Sequence, residues 1–534
     1  MCFIKKQNHI DMDSDHDKMN AAYVALKEYR AKGRSPVAVI HGDDALGAEH
    51  TRTLLKHHYI YEITDGWYFE GSGVNPTGWY KAYWYFIAQF LDDRFGKDWC
   101  LTSDESLLFL AAEGVIPKHL IIRVAFFDPL ELCLPFRQKL TAVWGSNEGL
   151  SFEREPRYGL RIFPLDLALL SASPGFFRQH PVEARTCLAM VENTGALVKT
   201  ALEEGMVHGA CRVAGGLRSI GNPWYADSII AALRSAGRRA EEINPFEEDF
   251  SVPMEGKAIC SRLRLLWREM RPAVLDAGKA ITVRPRDWTV EEILRMTDDV
   301  YVKDAFHSLN IDGKVVSEEL AAKALEADRE ADPLTLYPEK RLACAALGYA
   351  AAFTWIKYDL INSVTGGKES GTLLERLEEW HETLTSPAID AGLLPQSYYG
   401  TWYRKAQCYV ERSRHIPVEY GDVQEAVDTL RELMTDEPDA FVRAVLGHFL
   451  LVYIHPHMEC NGYLARFLMN TQLVSGGYPW TVITEDLEEE YHEVLEKASA
   501  ELDIIPFAAF VARQVNRCDW AGDRETTPSV YKAR

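Results

Sequence analysis

The sequence predicts a mainly α protein: a mixed α/β region in front, followed by an all-helical half. Three observations predict it. From Leu263 onward the apolar residues fall at helical spacing in segment after segment. Alternation at strand spacing is confined to the front, in YIYEITDGWYFEGSG, HLIIRVAFF and GLRIFPLDLAL. Between the two halves lies Asn244-Pro-Phe-Glu-Glu-Asp, a polar, acidic, proline-bearing stretch that reads as a linker and places a boundary near residue 248.

At 534 residues the chain is too long for one ordinary core and calls for roughly two to four domains. Apolar residues make up 47% and charged residues 26%, the composition of a globular protein without low-complexity tracts. Met1–Lys18 is polar and aspartate-rich, so residues 1–18 are expected to be a flexible N-terminus rather than a signal peptide. No uncharged run is long enough to span a bilayer. The expectation is a cytoplasmic protein with no membrane partner. Ten scattered cysteines without a CxxC pair predict reduced, mostly buried thiols. A net charge of -21 excludes a nucleic-acid coat over the whole surface.

Residues 19–72 read as a winged-helix-like domain. Helical stretches are expected at Ala21–Lys32, around Val37–His41 and at Ala48–His57, followed by two short strands joined at Asp65-Gly66, a hairpin signal. Between Lys18 and Ile60 the basic residues Lys18, Lys27, Arg30, Lys32, Arg34, Arg52 and Lys56 outnumber the acids Glu28, Asp43, Asp44 and Glu49. DNA contact through this module is one reading, and protein docking or a purely structural role is the other. Residues 73–247 read as an α+β region, with helices at Trp79–Cys100, Ser103–Glu113 and Pro181–Leu202. Residues 248–534 follow as the helical half, with helices at Ala343–Lys357, Leu373–Thr383, Gly421–Thr435, Ala440–Ile454, Tyr463–Gly476 and Leu487–Ala500.

The chemistry concentrates in GHFLLVYIHPHMECNGYLARFLMN. An apolar helix ends at His455, Pro456 breaks it, and a short polar loop opens a second helix near Gly462. Unpaired N–H groups and the positive end of the dipole make a helix start an anion site, so Cys460-Asn461-Gly462 suits phosphate oxygens. Glu459 can hold Mg2+ bridged to phosphates. Arg466, four residues beyond Gly462, lies on the same face and can reach a terminal phosphate as a bidentate donor.

These residues resemble the Fic family, whose motif is HPFxDGNGRxxR, and the likeness runs from about Phe306 to Ala512. The resemblance implies His455 as general base, Glu459 as metal ligand, Cys460, Asn461 and Gly462 as the phosphate cradle, and Arg466 on the terminal phosphate. Tyr491 and Ser499 match positions near the adenine. ATP and Mg2+ are the implied cofactors. The implied reaction moves AMP to a Ser, Thr or Tyr hydroxyl of a protein partner, the chain itself included, and a homo-oligomer is compatible with it. Ser308, Asp312 and Gly313 resemble an inhibitory helix whose acid pairs with Arg466. Thr200 to Gly205, with Glu204, fits the bare pattern too but lies in the front region. Cys408, Tyr409, Val410 and Glu411 resemble a small β-hairpin flap that grips the target by strand addition. The front, roughly residues 20–245, resembles AbiEi-type antitoxin regions found fused before some Fic proteins, which implies a regulatory role.

Four motif positions depart from the family: His457 for Phe, Glu459 for Asp, Cys460 for Gly and Tyr463 for the first Arg. Losing that arginine costs about 2 to 4 kcal/mol of transition-state stabilisation, by analogy with loss of one oxyanion donor. Tyr463 itself is expected to sit on the helix surface. Transfer of another phosphate-containing group, and a weakened fold serving as an antitoxin-like or DNA-binding regulator, are the alternatives.

Overall fold

The computed structural model describes residues 3–518, apart from 34, 43–44, 113–114, 146–151, 247–256, 328–338, 366–369 and 401–402. Within it the chain is mainly helical, and its few strands lie in the front region. Contacts divide the chain into two units: residues 1–262 together with Cys408–Pro417, and residues 263–407 together with 418–534. The division thus falls at Arg262/Leu263 rather than near 248, inside the continuous helix Ala258–Gly278. The expected linker after Phe246 lies outside the described residues.

The first unit opens with the helix Phe3–Lys32, which runs through the stretch expected to be flexible; no proline or glycine interrupts it before Gly33. The helix expected around Val37–His41 is instead a strand, Val39–His41, paired antiparallel with Trp67–Glu70. Two β-branched side chains, Val39 and Ile40, have a ready edge to join, and that tertiary pairing overrides a short local pattern. The hairpin Ile60–Thr64/Trp67–Glu70 forms as expected, with Gly66 at φ 75° in its turn. A second sheet has the order Trp99–Leu101, His119–Val124, Gln138–Trp144, Glu131–Leu134, and its inner pair is parallel. GLRIFPLDLAL divides into a two-residue strand, Arg161–Ile162, and the helix Leu165–Ser171, because Pro164 cannot continue a ladder.

The winged-helix region and the residues behind it share one aromatic core. Trp67 and Phe69 pack with Trp79, Tyr83, Phe86 and Phe90 from the helix Thr77–Phe95. Residues 19–72 also hold a small core of their own, in which Ala22, Leu26, Ala38, Ile40, Leu54, Ile60 and Tyr68 are buried together. The helices Leu165–Ser171, Thr194–Glu203, Val207–Ser219 and Pro223–Ser235 build a second core in the same unit.

The segment Cys408–Glu411, expected as a hairpin flap, carries no strand and belongs to the first unit. Tyr409 packs against the aromatic core and Ile416 is buried in it. Glu411 accepts from Asn75 Nδ2 at 3.1 Å, Arg412 N donates to Thr77 Oγ1 at 2.9 Å, and Ile116 N donates to the Arg414 carbonyl at 3.0 Å. Side-chain anchoring takes the place of the strand pairing a free hairpin would use.

Every regular element among the second unit's described residues is a helix. The helix Lys340–Thr365 lies so close to Leu377–Asp390 that a Cβ on Gly348 would strike the Leu384 carbonyl; only glycine permits that approach. Two helices frame the site. Ala440–Ile454 is capped by Asp439, whose side chain accepts from Val442 N, and Asn461–Ser475 follows after six residues of loop. The helix Val290–Ile311, started by a Thr289/Glu292 capping box, packs near them.

Candidate active site

His455 ends the Ala440–Ile454 helix in the left-handed conformation (φ 53°, ψ 62°), because Pro456 bars further helix and the chain must turn at once. Burial pushes its imidazole down to about 4, with the nearby Arg404 cation adding to the effect, so it is neutral at pH 7. The Val452 backbone hydrogen-bonds the imidazole and works against that shift.

The loop beyond is self-braced. Asn461 accepts from His457 N at 3.0 Å and donates to the His457 carbonyl at 2.9 Å. His457 is buried and stacks on His381 at 3.8 Å between ring centres, where the family motif has a phenylalanine. His381 also hydrogen-bonds the Glu459 backbone, while burial pushes its imidazole down to about 4. Glu459 is exposed beside this loop, as a single carboxylate suited to an ion that takes its remaining ligands from water and phosphate. No group of three metal-binding side chains occurs among the described residues.

Cys460 caps the second helix in the left-handed region (φ 69°, ψ 8°), where the family has glycine. A side chain there costs roughly 1 kcal/mol. Cys460→Gly is therefore expected to raise the unfolding free energy in urea by about that amount, and no change or a loss would show that the thiol's packing outweighs the strain.

The anion position at the helix start holds a carboxylate. Asp312 follows the Val290–Ile311 helix, which Gly313 terminates at φ 73° with Gly313 N bonded to Asn310 O and Lys314 N to Leu309 O. The Asp312 oxygens lie 2.9 Å from where a Cβ on Gly462 would stand, so glycine is what admits them. Arg466, buried, pairs with Asp312 at 3.3 Å and donates to Ser308 Oγ at 2.6 Å and to the Ser308 carbonyl at 2.9 Å. Burial opposes its charge, but Asp312 with the Tyr491 and Tyr349 hydroxyls more than offsets that and holds the guanidinium protonated.

Sequence reasoning placed Tyr463 on the surface; it is buried, edge-on to Tyr349 and 5.5 Å from the Arg466 guanidinium. The apolar helix face turned to Lys340–Thr365 wins over exposure. Its hydroxyl is buried without a partner beside the Asp312 carboxylate, and burial first, then that charge, raises its pKa. Tyr491 is brought to the cluster, hydrogen-bonded to His448 Nε2 at 2.8 Å and beside Arg466. Ser499 is buried two turns further along the same helix, Glu488–Glu501, and no hydrogen bond joins it to the cluster. Glu204 ends the Thr194–Glu203 helix in the first unit, so Asp312 is the acid paired with Arg466.

His448, Asp304 and Tyr349 escaped sequence reasoning. The Tyr349 hydroxyl bonds Asp304 at 2.6 Å, and burial pushes that carboxyl up to about 6. His448 is fully buried, and burial, then Arg466, push it down to about 3. The unfolded chain takes a proton there below about 6.5, whereas the folded chain does not until about 3. Stability present above 6.5 is therefore lost as pH falls, with a limiting slope of about 1.4 kcal/mol per pH unit. Urea unfolding from pH 7 to pH 4 should show a shallower decline in His448→Phe than in the parent; equal slopes would reject this.

The fold and the loop define a class: a helical domain in which a histidine ends one helix and, six residues on, a second helix starts beside the Asp312 carboxylate. Residues 372–473 match the Fic/DOC family, so the C-terminal region carries a Fic/DOC-family domain. The chain is 28% identical over 222 residues to a protein adenylyltransferase Fic of Culex quinquefasciatus, covering 41% of each. It is 25% identical over 277 residues to one of Nematostella vectensis, covering 50% of this chain and 60% of that one. The chain spans about two to three fifths of the length of these curated relatives. A solved Fic-1 structure from C. elegans is similar at 17% identity and a TM-score of 0.35, covering 66% of this chain and 95% of that chain.

Proposed function

We propose that this protein transfers AMP from Mg-ATP to a Ser, Thr or Tyr hydroxyl of a protein, itself included, and that Asp312 holds it in check. The observation that carries the reading is the Asp312 carboxylate seated on Arg466 at the start of the helix after His455, the place a phosphate would occupy. The relatives' name, protein adenylyltransferase, supports the same chemistry.

His455 accepts the hydroxyl proton, the hydroxyl oxygen bonds to the α-phosphorus, the bond from that phosphorus to the bridging oxygen breaks, and pyrophosphate leaves. The amides around Cys460-Asn461-Gly462 carry charge on the α-phosphate, and Arg466 receives the terminal phosphate. Mg2+, when bound, would be held by Glu459 and would neutralise phosphate charge. The front unit, by the antitoxin-like resemblance of its sequence, acts as the regulator.

Incubating the protein with Mg-ATP and weighing it intact tests the reading: a gain of one AMP is expected, and an unchanged mass with neither self- nor partner-labelling would end it. A second reading, a weakened domain serving a DNA-binding regulator, is favoured by Tyr463 in place of the motif's first arginine. Labelled ATP and promoter-DNA binding, run side by side, separate the two.

A further inference from the structure

Arg404 lies outside every motif, yet it holds the backbone of the proposed base. It is buried, its N–H donates to the Pro456 carbonyl at 2.9 Å, and its Nε donates to the His455 carbonyl at 2.9 Å. The other arms of the guanidinium reach Ala406 O at 3.1 Å through Nη1 and Val418 O through Nη2. Ala406 and Val418 stand on either side of Cys408–Pro417 in the sequence. One planar fork thus joins the carbonyl of His455 to both flanks of the segment whose sequence resembles the target flap.

Two physical facts give this arrangement weight. His455 sits in a conformation that costs a side-chain-bearing residue roughly 1 to 2 kcal/mol, so its backbone needs outside support. An arginine supplies several donors in fixed relative directions, whereas lysine supplies one compact charge that cannot span three carbonyls.

We propose that Arg404 is a positioning residue for the transfer: it locks His455 in its turned conformation and ties that conformation to the flanks of Cys408–Pro417. The role assigned to Arg404 is exerted through the backbone of His455. The inference rests on the AMP-transfer reading for its functional half, while its structural half stands without it.

The test compares the full-length parent with Arg404→Lys and Arg404→Ala, using Mg-ATP as the probe. Transfer should fall roughly tenfold to a hundredfold in both while the KM for ATP stays within about twofold, because the base and not the phosphate cradle is displaced. Guanidinium ion should restore part of the Arg404→Ala rate. Amide exchange should rise together in peptides covering residues 452–458 and 416–420 of both variants. Parent-like rate and exchange in Arg404→Lys would overturn the proposal, as would a rise at one peptide alone. If the parent itself shows no transfer, the AMP reading fails, and the exchange result alone decides Arg404.

Discussion

His455→Ala should abolish transfer while leaving the protein folded. In the proposed mechanism the imidazole is the proton acceptor, and its removal forfeits the general-base contribution, about a hundredfold to ten-thousandfold. The fold should survive, because the turn at 455 is held through backbone carbonyls that alanine retains. The check is AMP incorporation beside a thermal melt. Undiminished incorporation in a well-folded variant would remove His455 from the mechanism.

The second large effect is a gain. Asp312→Gly should increase self-modification by about tenfold or more, the worth of one charge-assisted contact of about 1.5 to 3 kcal/mol. Asp312 and a terminal phosphate compete for the same guanidinium, and they compete for the same helix start, since the carboxylate fills the space left by Gly462. Ser308 keeps Arg466 in place when the acid is gone. Glu204→Gly, at the end of a helix in the first unit, should change little. The opposite ranking would move the clamp to the front region. No effect from either would end intramolecular inhibition, leaving Ser308 to Gly313 as an ordinary helix end.

Local physics made part of this readable from the chain alone. Asp439 as a cap and Pro456 as a break set the limits of the Ala440–Ile454 helix. Asp65-Gly66 set the hairpin, and Gly313 set where the Val290–Ile311 helix stops and thus where Asp312 stands. The motif spacing placed His455, Glu459 and Arg466 on one loop and the first turns of one helix. Each of these signals acts over a few residues, which is the range a linear reading covers well.

Tertiary structure decided the rest. Val39–His41 became a strand because Trp67–Glu70 offered it an edge, and Tyr463 was buried because Tyr349 faces it from another helix. Ser308 and Arg466 lie 158 residues apart, and Arg404 and His455 lie 51 apart; no periodicity links such pairs. Cys408–Glu411 kept its place in the sequence but lost the expected hairpin, since the side chains around it found partners in the first unit's aromatic core. Caps, turns and motif spacing are written into neighbouring residues, whereas burial and the partner of a buried charge depend on which distant surfaces meet, and only the folded chain brings those surfaces together.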